Sequence, residues 1–362
     1  MRIGYDIRPF LSRDPGVGIF WRNLLFSLAA IDREDEFCLF SASWKERFFK
    51  DRLPPFARKR FVDLPLPVQA LNSLWYKRNF PPLDLFFLRP LDLVHSPSPL
   101  PTPGGKRNIL TVHDLTFWLR PELVQEDARA YFRNRFVSAL ERADGVITSS
   151  ETVRKQFREN FPNFNKRRVR TVNPGGDHLP PGEPWPLPVE GPFLLFVGTV
   201  ELRKNIPLLL KAFQGIRSRE PNLSLLLVGH VEKNLLPLFP QPGVTLFEEY
   251  LSPARLKFLM EKAEMLVFPS LEEGFGLPIL EAASANLPVV ASDIPVFREL
   301  FSPFPLLFPP SDPEPLVETV LSLLYDSSLR EECRRLGKIL SSRYTWSRCA
   351  EEVLSFYREI VP

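Results

Sequence analysis

Short apolar segments alternate with helical patterns along this chain, and the alternation is interrupted once, by a stretch rich in proline. Residues 174–192 hold seven prolines and four glycines, a composition typical of a linker rather than of a helix or strand. Before it, runs rich in Val, Ile and Leu predict strands at 2–7, 92–96, 108–113 and 145–149, and helical spacing predicts a helix at 126–143. After it, the pattern predicts strands at 193–197, 223–228, 265–268 and 288–291, with helices at 206–218, 253–262, 277–285 and 346–360.

Alternating strands and helices predict parallel sheets covered by helices on both faces. Two such halves make a two-domain α/β protein, whose ligands are expected at the carboxyl ends of strands facing a central cleft. The predicted boundaries are 1–175 for the first domain, 176–192 for the linker, 193–344 for the second domain and 345–362 for a C-terminal helix.

Composition excludes several classes of protein. A net charge of +3 over 362 residues is too small to indicate nucleic-acid binding. Three cysteines without C-x-x-C spacing indicate neither a disulfide framework nor a zinc site, and we expect no metal. No signal peptide and no membrane-spanning run is evident, so a cytoplasmic protein is expected.

Residues 271–281 combine two acidic residues with a glycine turn. Glu273 and Glu281 stand eight positions apart, with a predicted strand before them and a predicted helix after them. Gly274 and Gly276 permit backbone shapes that let a ligand approach the main chain. A turn of this kind leads unpaired helix amides toward a ligand. The stretch therefore predicts a site for a polyol, although an ordinary strand–turn–helix with solvated glutamates is the alternative.

This stretch resembles the E-x7-E motif of the retaining, nucleotide-sugar-dependent glycosyltransferases of family 4, and the similarity extends over some thirty residues from Ala263. The resemblance implies the GT-B fold, with two Rossmann-like parallel-sheet domains facing a cleft. It also implies that Glu273 is catalytic and that Glu281 binds the ribose. The other substrate-binding residues that it implies are Gly274, Phe275, Gly276 and Leu277.

A second motif follows the strand at 193–197. Gly198 opens a turn that ends in Arg203 and Lys204, just before a predicted helix. Two cations are unfavourable beside the positive end of a helix, but they suit an anion bound there. The turn is similar to the family's Gly-x-x-Glu-x-Arg-Lys-Asn, whose basic pair holds the donor diphosphate. A solvated loop with two surface charges is the alternative.

In the first half, His113 ends a predicted strand and precedes an acid, as in the His-Asp-Leu motif of the family, whose histidine positions the donor sugar. Gly16 and Gly18 fit the family's glycine loop before the first helix. As a dinucleotide motif this loop fails, because Trp21 stands where a third glycine is needed. His95 also ends a strand, and we expect it on the acceptor side.

Residues 43–61 hold seven Lys or Arg against two acids, interleaved with aromatic residues. Such a mixture favours peripheral contact with an anionic membrane. The alternative is an amphipathic helix whose aromatic side chains face the core.

The resemblance implies a metal-independent hexosyltransferase that needs no cofactor beyond its nucleotide-sugar donor. GDP-mannose is the first expectation for that donor, UDP sugars are alternatives, and the acceptor is a glycan or a lipid-linked precursor. A nucleotide-sugar epimerase and a non-catalytic binding subunit are the rival functions. We expect Glu273→Ala and Lys204→Ala to abolish transfer with little change in melting temperature.

Overall fold

The structure, a computed structural model, describes residues 1–11, 15–44, 53–164 and 168–362. These residues form two compact units. The first comprises Met1–Pro174 together with Trp346–Pro362, and the second comprises Gly175–Thr345. The division falls within one residue of the predicted ends of the two domains, but it assigns the predicted linker to the second unit.

The first unit is built on a seven-stranded parallel sheet with the order β3-β2-β1-β4-β5-β6-β7. Its strands are β1 (Arg2–Asp6), β2 (Glu36–Ala42), β3 (Lys59–Leu64), β4 (Leu93–Ser96), β5 (Arg107–Val112), β6 (Gly145–Thr148) and β7 (Val169–Thr171). The helices between them are α1 (Pro15–Ile31), α2 (Val68–Arg78), α3 (Asp84–Phe87), α4 (Thr116–Leu119), α5 (Glu126–Arg142) and α6 (Glu151–Asn160).

The second unit has a six-stranded parallel sheet with the order β10-β9-β8-β11-β12-β13. Its strands are β8 (Phe193–Val197), β9 (Ser224–Val228), β10 (Val244–Phe247), β11 (Met265–Phe268), β12 (Val289–Ser292) and β13 (Leu306–Phe308). Its helices are α7 (Ile206–Arg219), α8 (Pro253–Lys262), α9 (Leu277–Ser284), α10 (Pro295–Phe301), α11 (Pro313–Tyr325) and α12 (Ser327–Ser341). The two parallel sheets confirm the predicted fold class.

The proline-rich stretch 176–192 contains no helix or strand, yet it is fixed to the second unit. The Gly176 amide donates to the Tyr344 carbonyl at 3.0 Å, and the Glu183 amide donates to the Ala254 carbonyl at 3.1 Å. Four apolar side chains between the prolines pack against the core of this unit: Leu179, Trp185, Leu187 and Val189. Proline thus prevents regular structure in this stretch, but it does not prevent burial of the residues between the prolines.

The last helix, α13 (Trp346–Ile360), belongs to the first unit and packs against α1. The Trp346 ring lies 5.7 Å from the Phe20 ring. Phe356 lies so close to Gly145 that a Cβ on this glycine would stand 2.9 Å from the Phe356 ring. The helix thus closes the core of the first unit.

One expectation for the first unit was wrong. His95 does not face an acceptor, because it is fully buried and its Nε2 lies 2.8 Å from the Thr111 hydroxyl. The membrane contact of residues 43–61 stays a prediction, because residues 45–52 lie outside the described residues; the described remainder of this segment contains no helix. Phe56 is buried against Phe37, with ring centroids 3.8 Å apart, and Arg60 pairs with Glu36 at 2.7 Å. Among the described residues, no helix is long and apolar enough to cross a membrane.

Candidate active site

Two loops meet at the carboxyl ends of β8 and β11, which are neighbours in the second sheet. The loop after β8 contains a 3-10 turn, Leu202–Lys204, and leads into α7. The loop after β11 leads into α9. The Leu271 amide donates to the Arg203 carbonyl at 2.8 Å and joins the two loops directly. In parallel sheets this edge is where ligands bind.

The two loops bring Glu273 together with both predicted cations. The Lys204 ammonium donates to Oε1 of Glu273, and Nη1 of Arg203 lies 3.1 Å from Oε2. A second nitrogen of Arg203 pairs with Glu201 at 2.6 Å. The Lys204 ammonium also lies 4.7 Å from the centre of the Phe268 ring. The cations are therefore paired with two carboxylates rather than solvated.

Burial and charge act against each other in this cluster. Burial raises the pKa of Glu273, but Lys204 and Arg203 outweigh it, and the resulting pKa is about 2. Burial lowers the pKa of Lys204, and the Glu273 carboxylate opposes this shift. Burial raises the pKa of Glu201 against the effect of the same two cations. Glu273 is therefore a carboxylate at neutral pH, held where water is scarce and charges interact strongly.

Glycines in the two loops, and one after β9, allow close backbone approaches. Gly198 and Gly229, at the ends of β8 and β9, both have φ of +143°. A Cβ on Gly229 would lie 2.1 Å from the Gly198 carbonyl oxygen. Gly276 precedes α9 with φ of +103°, and a Cβ there would lie 2.8 Å from Phe297. Side chains at Gly229 and Gly276 would displace the loops that carry the ion cluster.

Glu281 lies on α9 and is 3% exposed. Its Oε1 is 3.0 Å from Nε2 of His178, which comes from the proline-rich stretch. No local pattern indicates a role for His178, since it follows a Gly-Gly-Asp run within a segment interpreted as a linker. Its relation to Glu281 depends on how that segment folds back onto α9.

The structure gives different roles to the other residues predicted in this motif. The Phe275 side chain is buried between the rings of Phe301 and Tyr344, each 5.8 Å away, so this side chain packs in the core. Leu277 begins α9 and also packs partly against the core. Gly274, which lies between Glu273 and Phe275 in the loop, is buried.

The predicted residues of the first unit follow β1 and β5. His113 lies just after β5, where its Nε2 is 3.0 Å from the Pro97 carbonyl oxygen and its ring meets Phe20 edge-on at 4.9 Å. Gly16 and Gly18 lie in the first turn of α1, not in a loop before it. A Cβ on Gly18 would stand 2.9 Å from the Pro9 carbonyl oxygen, whereas one on Gly16 would meet no atom of the described residues within 4 Å. Gly18 therefore has a packing role, and Gly16 has none.

Comparisons with known proteins agree with this architecture. Residues 16–178 match the family described as Glycosyltransferase Family 4, and residues 183–339 match the one described as Glycosyl transferases group 1. An O-antigen chain mannosyltransferase B from Escherichia coli is 29% identical over 273 residues, which cover 70% of each chain.

Two solved structures share the fold over almost their whole length. WaaG, a glycosyltransferase involved in lipopolysaccharide biosynthesis, has a TM-score of 0.69 and 16% identity, covering 97% of this chain and 98% of its own. The Anabaena protein HepE, in complex with UDP-glucose, has a TM-score of 0.71 and 16% identity, covering 99% and 100%. At this level of identity the likeness establishes the GT-B fold alone.

Proposed function

Because this chain belongs to the glycosyltransferases of family 4 and transfers a hexose, we propose that the hexose is mannose, taken from GDP-mannose with retention at the anomeric carbon. The similar Escherichia coli protein is named as a mannosyltransferase of an O-antigen chain, which supports mannose and a glycan or lipid-linked acceptor. UDP sugars are the competing donors, since the similar Anabaena structure holds UDP-glucose. Similarity to transferases disfavours both the epimerase and the non-catalytic subunit.

The observation that carries the proposal is the cluster of Lys204, Arg203 and Glu273 at the end of β8 and β11. An ammonium has three N–H donors and a guanidinium has five, so each cation can bind a phosphate oxygen and keep its carboxylate. The pairing with Glu273 fixes the Lys204 ammonium in a buried position before the donor arrives. Preorganised charges of this kind stabilise the negative charge that develops on a departing diphosphate.

In the proposed reaction, the bond between the anomeric carbon and the diphosphate oxygen breaks as the acceptor oxygen attacks from the same face. The proton of the acceptor hydroxyl passes to the departing diphosphate oxygen, so no protein nucleophile is needed. Glu273 and the amides of Gly274 and Gly276 bind hydroxyls of the transferred sugar, and Glu281 binds the ribose. His113 is assigned to positioning the sugar by the family motif.

Calorimetric titration tests the donor site. We would titrate the protein with GDP-mannose, UDP-glucose, UDP-N-acetylglucosamine, GDP and UDP, and repeat the titration with Lys204→Ala and Arg203→Lys. The expected result is selective binding of the GDP ligands, weakened ~10-fold or more in Lys204→Ala, with transfer slowed about 100-fold. Lys211, exposed on α7, supplies the control, and Lys211→Ala should behave as the unaltered protein. Absence of binding to every nucleotide, or a fully active Lys204→Ala, would contradict the proposal.

The proposal includes a cytoplasmic enzyme that contacts an anionic membrane through residues 43–61. Two features support this contact: the excess of cations in this segment and the 70% exposure of Trp44. Co-sedimentation with vesicles of phosphatidylglycerol and of phosphatidylcholine is the test. We expect binding only to the anionic vesicles and weaker binding of Trp44→Ala, while Tyr250→Ala, which changes an exposed aromatic residue of the other unit, binds normally. Equal binding to both kinds of vesicle would contradict the proposed membrane contact.

A further inference from the structure

We propose that His178 is a positioning residue of the donor site: its imidazole orients the Glu281 carboxylate so that one carboxylate oxygen accepts a ribose hydroxyl of a nucleoside diphosphate. The inference rests on the proposed function, because it assumes that Glu281 binds the ribose. It adds a residue from outside the glutamate and glycine motif, and it assigns a role to the stretch between residues 176 and 192.

The first argument is the burial of the pair. The side chains of His178 and Glu281 are only 7% and 4% exposed, and Nε2 lies 3.0 Å from Oε1. A buried carboxylate needs a hydrogen-bond donor, because an unsatisfied one is strongly destabilising. The Nε2–H of His178 supplies that donor. The hydrogen bond holds the carboxylate in one rotation about its last side-chain bond.

The second argument is the anchor that places His178. Two residues before it, the Gly176 amide donates to the Tyr344 carbonyl at 3.0 Å. A Cβ on Gly176 would stand 2.6 Å from Cβ of Leu280, the residue that precedes Glu281 on α9. Glycine therefore lets the segment approach the helix closely at Leu280, and the chain then carries the imidazole to Glu281. The position of His178 is set by the backbone and not by its own side chain alone.

The third argument is that the two carboxylate oxygens of Glu281 have different partners. A carboxylate has two oxygens and about four acceptor positions. When His178 occupies Oε1, the other oxygen keeps a fixed direction toward a ligand. This role concerns binding of the nucleotide and not the transfer step. Loss of His178 should therefore raise the Kd and KM of the donor and leave kcat within about two-fold, as expected for uniform binding.

The test compares ribonucleotides with analogues that lack the hydroxyls. We would measure by calorimetry the Kd of GDP and UDP, and of their 2′,3′-dideoxy forms, for the unaltered protein, His178→Ala and His178→Gln. Loss of the hydrogen bond frees the Glu281 carboxylate to rotate, so His178→Ala should weaken ribonucleotide binding ~10-fold, or about 1.4 kcal/mol. It should leave dideoxynucleotide binding unchanged. Glutamine retains an N–H donor and should restore most of the affinity.

Glu190→Ala is the matched control, since Glu190 is an exposed residue of the same stretch. Equal weakening of ribo- and dideoxynucleotides in His178→Ala would overturn the inference, because a merely structural role affects both ligands alike. An unchanged Kd would overturn it as well. If the unaltered protein binds no nucleotide, the proposed function fails together with this inference. If it binds and His178→Ala binds equally, only the inference fails.

Discussion

Tyr357 and His95 share a hydrogen bond of 2.5 Å between the phenol oxygen and Nδ1 of the imidazole, in the interior of the first unit. The tyrosine comes from α13 and the histidine from the end of β4. The same phenol lies 3.1 Å from the Tyr5 hydroxyl, and the other imidazole nitrogen lies 2.8 Å from the Thr111 hydroxyl. A polar chain therefore joins α13 to β1, β4 and β5.

Tyr357→Phe should destabilise the protein, because it leaves Nδ1 of a fully buried histidine without this partner. An unsatisfied buried polar group is destabilising by about 1–3 kcal/mol, which should lower the melting temperature measured by calorimetry. Tyr250→Phe is the control, as Tyr250 is 78% exposed. An unchanged melting temperature in Tyr357→Phe would show that the hydrogen bond contributes nothing net.

His95 should make the protein less stable in acid. Burial, with a smaller effect of His113, lowers the pKa of His95 to about 3, well below its ordinary 6.5. Below pH 6.5 the unfolded chain binds a proton that the folded protein does not, so stability falls by about 1.4 kcal/mol per pH unit until about pH 3. We expect His95→Gln to lose less stability than the unaltered protein between pH 6.5 and 4 in urea denaturation. If the unfolding free energies of the two proteins changed in parallel with pH, the lowered pKa of His95 would be contradicted.

Glu273→Gln should destabilise the protein by about 3 kcal/mol at pH 7, because it leaves the Lys204 ammonium buried without its carboxylate. The pKa of Glu273 is depressed to about 2, so its contribution is complete above the ordinary value of 4.5 and is lost as the pH falls toward 2. The difference in unfolding free energy between the two proteins should therefore shrink between pH 4.5 and 2. If the difference in unfolding free energy stayed constant over this pH range, the charge of Glu273 would not be what stabilises the folded protein.

This expectation replaces the one drawn from the sequence, that changes at Glu273 and Lys204 leave the melting temperature nearly unaltered. That expectation assumed cations waiting in solvent for a diphosphate. The structure pairs them with carboxylates in a buried cluster, where removing either partner leaves an uncompensated charge. Activity assays on these variants therefore need conditions in which the variants are folded.

Gly276→Ala and Gly16→Ala should have opposite effects on stability. Gly276 has φ of +103° and lies against Phe297, so alanine there should destabilise by about 1–2 kcal/mol or more. Gly16 lies in the first turn of α1, and no atom of the described part of the chain is within 4 Å of a Cβ placed there, so alanine should be neutral or stabilise by up to ~1 kcal/mol. Melting temperatures test both changes. If Gly16→Ala lowers transfer without lowering the melting temperature, the backbone at this position contacts a substrate.

Several buried, regular elements were predictable from the sequence, although the buried strand β2 was not predicted. Strands β8 and β11 and helices α8 and α13 have the predicted bounds, because their apolar residues form uninterrupted or strictly periodic patterns. Strand β3 was not predicted, since it is an edge strand that begins with Lys59 and Arg60 and is only partly buried. Strands β7 and β13 have three residues each, too few to establish a pattern.

For the site, the sequence predicted which loops carry charge but not which charges pair. Arg203, Lys204 and Glu273 were chosen from two separate motifs, and their direct pairing depends on the adjacency of β8 and β11. The resemblance implies that Phe275 binds the substrate, but the sequence does not indicate that its ring packs against Phe301 and Tyr344. His178 was missed because a contact between a loop and a helix a hundred residues later leaves no local pattern.

The position of α13 affects the order in which the two units can fold during synthesis on the ribosome. The first 174 residues include every strand of the first sheet, but the helix that supplies Tyr357 is synthesised only after residues 175–345. Domains commonly fold in the order of their synthesis. Here the earlier unit must wait for the later one to be translated, with His95 and Tyr5 lacking their partner in the meantime. The second unit, whose residues are contiguous, has no such delay and can finish first.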